Sequence, residues 1–283
     1  MATKTKSKRA VKPSNSESIT DDSVAEALKA VMADRDNPMS ARVGIDTEGW
    51  VSVDLCIECI PATSLSDSPP LVVHRFSEKS RRQMREKQMG IKASGKEAKQ
   101  PVDLMKDTLY RFPEEVNGTI FGVPAVGLKK ATVRAFKGMD NFTMVDAKGF
   151  FHICGKKDEE ETTDLIPVIA PPITELNFKE KLLAKVLKWT EEEMKEALKV
   201  EHKYGACLRE DDVRVGQGTA DIRYRGAFPT WRIPFTVEYN PSAVSLQQLC
   251  TAIDRGGRGV GICENRPEKS GDRWGTYQMV LNQ

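Results

Sequence analysis

Residues 231–282 read WRIPFTVEYNPSAVSLQQLCTAIDRGGRGVGICENRPEKSGDRWGTYQMVLN. The opening alternates: Trp231, Ile233, Phe235, Val237 and Tyr239 are apolar or aromatic, and Arg232, Pro234, Thr236 and Glu238 stand between them. A period of two is a strand with one face in a core, and Pro234, which has no N–H to give to a ladder, marks an edge or a bulge. A helix is predicted next. Ser245 is its N-cap with Gln248 as capping-box partner, Val244 and Leu249 form a hydrophobic staple, and Gly256 is the expected terminator. Beyond it, six of the chain's 20 glycines fall between Gly256 and Gly275, mixed with arginines and followed by the apolar strand WGTYQMVL.

Strand, helix, glycine-rich loop and strand compose one half of a ferredoxin-like (RRM-like) unit, so the expected fold class is α+β with an antiparallel sheet as its palm. The order of elements also removes a nucleotide cradle. Gly257-Arg258-Gly259-Val260-Gly261 has the look of a dinucleotide fingerprint, but such glycines lie between a strand and the helix they open. Here they follow the helix. A P-loop fails for the same reason and lacks G-K-[ST], so no cofactor is expected.

The chain has 283 residues, 39% of them hydrophobic, enough for one large domain or two small ones. Its net charge is only +2, so a basic surface must arise by local segregation. Six cysteines without an N-terminal apolar leader read as reduced thiols of a cytoplasmic protein. No apolar run approaches the ~18 residues of a membrane span, and no membrane partner is expected. Cys56 and Cys59 form the one close pair, in VSVDLCIECIP, whose alternation is that of a strand. Positions three apart on a strand face opposite ways, so these sulfurs cannot share a metal. His74, His152 and His202 have no ligand spacing, and no metal site is expected.

Residues 1–20 hold five Lys/Arg against one Glu and read as a disordered basic tail; 21–283 are read as one domain. Ser23 and Glu26 cap a helix predicted at 24–33. Strands are predicted at 50–60 and 71–76. Residues 75–106 carry ten Lys/Arg against four Asp/Glu with little to bury. Two readings fit them: a solvated helix with a loose connection, or a mobile insertion that contacts nucleic acid through Arg81, Arg82 and Arg85.

YRFPEEVNGTIFGVPAVGLKKATVRAFKGM is a strand, a turn and a helix, with Ala125, Leu128, Ala131, Thr132, Ala135 and Phe136 as the buried stripe. Lys130, Arg134 and Lys137 share an exposed face, with Lys129 beside them. The Gly and Pro before this helix leave backbone N–H groups free for an anion. DNFTMVDAKGFFHICG reads as two short strands around a turn, and KKDEEETTD as a solvated acidic loop. Residues 175–204 are predicted helical, with Thr190 and Glu193 as a capping box, Gly205 as the stop, and Leu182, Leu183, Val186, Leu187, Met194 and Leu198 as packing positions. In TADIRYRGAFP, Arg223 and Arg225 share one strand face opposite Tyr224, either as exposed strand charges or as a row of ligand contacts.

Two separate motifs resemble the RAMP superfamily. Gly259, Gly261, Gly271, Gly275 and Tyr277 fall where its C-terminal glycine-rich loop has glycines and a following strand. Val123, Pro124, Leu128, Lys129, Ala131 and Arg134 match its N-terminal turn and helix. The nearest branch is that of CRISPR effector backbone subunits, which coat a guide RNA; VRVGQGTADIRYRG (213–226) and RPEKSGDRWG (266–275) are also similar to phage-encoded proteins. The resemblance implies a ferredoxin-like palm with insertions at about 75–106 and 172–208, holding single-stranded RNA or DNA by its backbone and self-associating along it, beside other effector-complex subunits, in a prokaryotic or phage-infected cell. Lys129, Lys130 and Arg134 would meet phosphates from the helix, and Arg258, Arg266, Lys269 and Arg273 from the loop, where glycines admit backbone N–H groups and arginines add bidentate contacts.

The sequence has no RNP-type aromatic run, so it does not imply base stacking on a sheet face. Some RAMP proteins cleave RNA, but Asp140, Asp146, Asp254 and Asp272 sit in no signature and His152 reads as a strand residue. The expectation is a non-enzymatic binder of single strands. The alternatives are a phage structural or protein-interaction subunit reusing the fold, and a metal-dependent RNA-cleaving or RNA-processing enzyme of the same fold.

Overall fold

The computed structural model describes residues 44–45, 49–61, 68–91, 98–139, 142–215 and 219–280, all within the unit Ala41–Gln283. The predicted tail at 1–20 and helix at 24–33 lie outside the described residues.

The chain passes through β1 (Gly44–Ile45), β2 (Val51–Cys59), β3 (Leu71–Val73), α1 (Glu78–Gln88), α2 (Pro101–Asp107), β4 (Tyr110–Val116) and β5 (Thr119–Pro124). It continues through α3 (Ala125–Phe136), α4 (Met144–Phe150), β6 (Phe151–Cys154), β7 (Lys156–Lys157), β8 (Asp164–Pro167), α5 (Phe178–Leu187), α6 (Glu191–Ala197) and α7 (Lys199–Lys203). The last elements are β9 (Cys207–Val215), β10 (Thr219–Phe228), β11 (Arg232–Tyr239), α8 (Leu246–Gly259), α9 (Pro267–Ser270) and β12 (Tyr277–Met279).

The fold is mixed α and β with antiparallel sheets. In the main sheet β12, β2, β11 and β6 are neighbours in that order, and β1 joins β2 on the edge that β12 also uses. A second sheet has the order β3, β10, β9, and a third the order β4, β5, β8, β7. The alternation of β2 and β11 sends Val53, Ile57, Ile233, Phe235, Val237 and Tyr239 into one core cluster with Leu128, Ala131 and Phe136 of α3 and Leu249, Ala252 and Ile253 of α8. Each Val, Leu, Ile or Phe side chain among them contributes roughly 1.5–3 kcal/mol by burial.

Pro234 sits inside the main sheet, opposite Cys56. Arg232 exchanges N–H···O bonds with Ile169, so by antiparallel alternation the Pro234 nitrogen faces that same side, where β6 begins pairing only at Thr236. The missing N–H thus falls in a gap between two partners, which makes this an edge position locally.

Several expectations need correction. Residues 144–150 are helical, not strand, because the Thr143 side chain accepts from the Asp146 N–H and caps α4; β6 follows directly. The acidic loop is solvated as expected except at Asp158, whose carboxylate is buried and accepts from the Thr162 and Thr163 N–H groups. Not all of 75–106 is solvated, since Val102 and Met105 of α2 are buried in the core. Leu183, Met194 and Leu198 pack as expected, whereas Leu182 and Val186 are 43% and 71% exposed. Gly256 does not end α8. The helix runs to Gly259, so Gly259 is its last residue rather than part of the loop. The Gly-Gly pair reads as a stop but serves close approach: a Cβ on Gly256 would lie 2.9 Å from the Ala131 carbonyl oxygen, and one on Gly257 would lie 2.1 Å from that of Tyr277.

Candidate functional site

The two motifs singled out in the sequence meet in space. β5 runs straight into α3 at Pro124, the N-cap, which offers no side-chain hydrogen bond, and the first turn holds no acidic residue. The N–H groups that open α3 therefore keep their partial positive charge. α3 crosses α8 at Ala131 and Gly256, and beyond α8 the chain turns at Gly261, whose φ of +69° suits a residue without a Cβ. The Ile262 N–H donates to the Gly275 carbonyl at 3.0 Å, pinning the two ends of the loop together. The Glu264 N–H donates to Val72 of β3 at 3.0 Å, and the Gly275 N–H to Pro70 at 2.9 Å, so the loop lies along β3. Between the start of α3 and this loop is a groove of about 230 Å³, with Gly127 and Lys130 on one wall, Gly261, Arg266 and the carboxylates Glu264 and Glu268 on the other, and His74 and Tyr110 also lining it.

Lys130 is exposed and, among the described residues, makes no ion pair. Lys129 is half-buried, its Nζ 3.2 Å from His152 Nδ1 and 5.7 Å from the Phe151 ring centroid, and burial lowers its pKa. Arg134 Nε lies 2.7 Å from Glu268. Arg266 donates to the Cys263 carbonyl at 3.0 Å and stands 3.5 Å from Glu268. Lys269 donates to Glu264 at 2.8 Å. Burial works to raise the Glu264 carboxyl, but Lys269, Arg225 and His74 outweigh it and hold it below its ordinary value. Arg258 pairs with Asp254 at 3.6 Å. Arg273 and Arg223 are exposed, with no ion pair among the described residues. Gly261, Gly271 and Gly275 all have positive φ.

Arg225 is corrected. It is 2% exposed, and its Nη1 is 3.4 Å from Asp211, so it anchors β10 to β9 rather than facing a ligand. Burial lowers its pKa, opposed by Asp211. Its neighbour across the strands is His74, and burial followed by the Arg225 charge lowers the pKa of that imidazole. The arginines of α1 do not line the groove. Arg81 donates to Glu160 at 2.6 Å, Arg82 lies 3.8 Å from Glu86 and Arg85 donates to Glu78 at 3.0 Å.

The face of the main sheet away from the helices carries Asp54, Glu58 and Glu238 against Arg232, with Asp54 accepting from Thr236 at 2.6 Å. That face repels a polyanion. Among the described residues, no cluster of three or more His, Cys, Asp or Glu is placed to hold a metal ion. No described helix is long and apolar enough to cross a membrane.

His74, Arg209 and Trp274 were not picked out by motif. Arg209 lies on β9, in the run CLREDDVRV, whose four consecutive charged residues break any alternation, so no periodic signal singles it out. No protein-family model and no curated protein matches the chain.

Proposed function

We propose that this protein binds single-stranded nucleic acid, RNA in the first place, through its sugar-phosphate backbone, and self-associates along the strand as a RAMP-like, CRISPR-backbone-like subunit. One observation carries the reading: an uncapped helix N-terminus with Lys130, which makes no ion pair among the described residues, faces a glycine-rich loop bearing Arg266 across one groove, although the two segments are far apart in sequence. Free N–H groups and the Lys130 cation in one groove support a phosphate site, in which a phosphate would compete with Glu268 for Arg266. Arg273 and Arg223 are further exposed cations with no ion pair among the described residues.

The sheet order supports a ferredoxin-like palm. If β2, β6, β11 and β12 are taken as the four strands of a β-α-β-β-α-β unit, with α3 and α8 as its helices, the spatial order is fourth, first, third, second. The remaining two sheets are then insertions into that unit.

A protein-interaction subunit is the second reading, favoured by the exposed Leu182 and Val186 on α5. Salt titration separates the two. The binder takes up labelled oligonucleotides at low salt and loses affinity steeply as salt rises, and Lys130→Ala lowers the slope of log K against log salt by about one. Absence of uptake at low salt overturns the reading.

A further inference from the structure

A second cavity, of about 730 Å³, opens on the other side of the glycine-rich loop, within the roughly 300–1,000 Å³ range of sites for small organic groups. Its lining brings together residues from three distant segments: Phe178 and Lys179 at the start of α5, Arg209 on β9, and Arg273 and Trp274 at the end of the loop. The Arg209 guanidinium carbon lies 3.7 Å from the Trp274 ring centroid, and Arg209 Nε donates to Asp211 at 2.8 Å. The guanidinium is thus stacked on the indole and fixed from its edge. Trp274 in turn packs on Val72, Cys207 and Ala227, so the stack rests on the second sheet. Phe178 is 77% exposed although it opens a well-capped helix. Lys179 is held by Glu210 at 3.1 Å, while Arg273 is exposed and makes no ion pair among the described residues.

A planar cation on an aromatic ring, an exposed aromatic lining the same cavity and an unpaired arginine at its rim are the parts of a base-stacking site. Unpaired bases stack on aromatic rings and on arginine planes alike, and neighbouring cations hold the phosphates. We propose that this cavity takes an unpaired base of a bound single strand, stacked on the Arg209 guanidinium and against Phe178, with Arg273 on an adjoining phosphate. The inference rests on the proposed function and deepens it. The groove at α3 holds the backbone, and this cavity reads the presence of a base.

The test compares oligouridylate and oligothymidylate with abasic oligomers of the same sugar and length, at one fixed low salt concentration. The wild-type protein is expected to bind the base-bearing strand of its preferred sugar roughly tenfold or more tighter than the abasic one. Phe178→Ala, at an exposed position, and Arg209→Lys, which keeps the charge and loses the plane, should each shrink that ratio several-fold and leave abasic binding unchanged. Equal affinity for base-bearing and abasic strands in the wild type, or a ratio that neither variant moves, overturns the base site while backbone binding stands. Failure to bind any of the oligomers overturns the proposed function with it.

Discussion

Arg134 Nε on α3 stands 2.7 Å from Glu268 on α9, so an ion pair ties the helix that opens the groove to the loop that closes it. Glu268 also lies 3.5 Å from Arg266, and one carboxylate therefore neutralises two of the cations proposed to meet phosphate. Glu268→Gln should tighten single-strand binding by a few-fold at low salt and steepen the salt dependence, because a phosphate no longer competes with a carboxylate. Its cost in stability should stay within about 1 kcal/mol, as for other exposed pairs. Binding isotherms across a salt series check the first part and urea denaturation the second.

Two glycines of α8, three residues apart, should respond to alanine with opposite signs. At Gly256 the new Cβ meets the Ala131 backbone oxygen at 2.9 Å, and neither helix can yield without repacking. A loss of roughly 1–3 kcal/mol is expected. At Gly259 nothing lies within 4 Å and the backbone is helical, so alanine should be neutral or stabilise by up to about 1 kcal/mol. Paired denaturation curves decide both.

Arg225 and Arg223, two residues apart on β10, separate structure from binding. Arg225→Met removes the cation from a pair whose side chains are 2% and 12% exposed; Asp211 keeps Arg209 as its partner at 2.8 Å, so the loss should be about 1–3 kcal/mol. Arg223→Ala should leave stability within about 0.5 kcal/mol and weaken oligonucleotide binding. A common effect of both variants on the salt slope at unchanged stability would contradict the placement of Arg225.

Stability should fall on mild acidification, and His74 should account for part of the fall. Its folded pKa is held below the ordinary 6.5 by burial and then by Arg225, so the unfolded chain binds the proton first. Its contribution is intact above about pH 6.5 and is lost as pH drops from there through the folded value. His152, lowered by burial and then by Lys129, acts in the same direction. His74→Gln should flatten the stability curve between about pH 7 and 5 by up to 1.4 kcal/mol per pH unit. Below about pH 4 the lowered carboxylates Glu160 and Asp221 add a further loss. Urea midpoints over a pH series, read as slopes, test this even if the variant is less stable at every pH.

Strict periodicity made the core strands legible. β2 and β11 fall close to where alternation put them, and the capping boxes at Thr190 and Ser245 are present with both reciprocal hydrogen bonds. Local signals failed where tertiary contact decided the outcome. Gly256 and Gly257 resemble a helix stop, but their use is to let α3 and β12 approach, which no neighbouring residue announces. Leu182 and Val186 carry helical spacing like Leu183, yet only Leu183 is buried, because α5 is covered on one side alone. At the groove, residue type and spacing pointed to Lys130 and Arg266, but which cations are already neutralised depends on where Glu264 and Glu268 come to rest. The stack of Arg209 on Trp274 joins residues that no short motif connects.

The order of the main sheet has a kinetic consequence. β2 is flanked by β11 and β12, both far downstream in the sequence. At typical elongation rates of roughly 5–20 residues per second, the emerging β2 waits on the order of ten seconds for either long-range partner. During that interval its apolar face and open edges are available to other chains. The main sheet is therefore expected to close late in synthesis, through contacts of high sequence separation, and yields on overexpression should respond to slower translation and to chaperone supply.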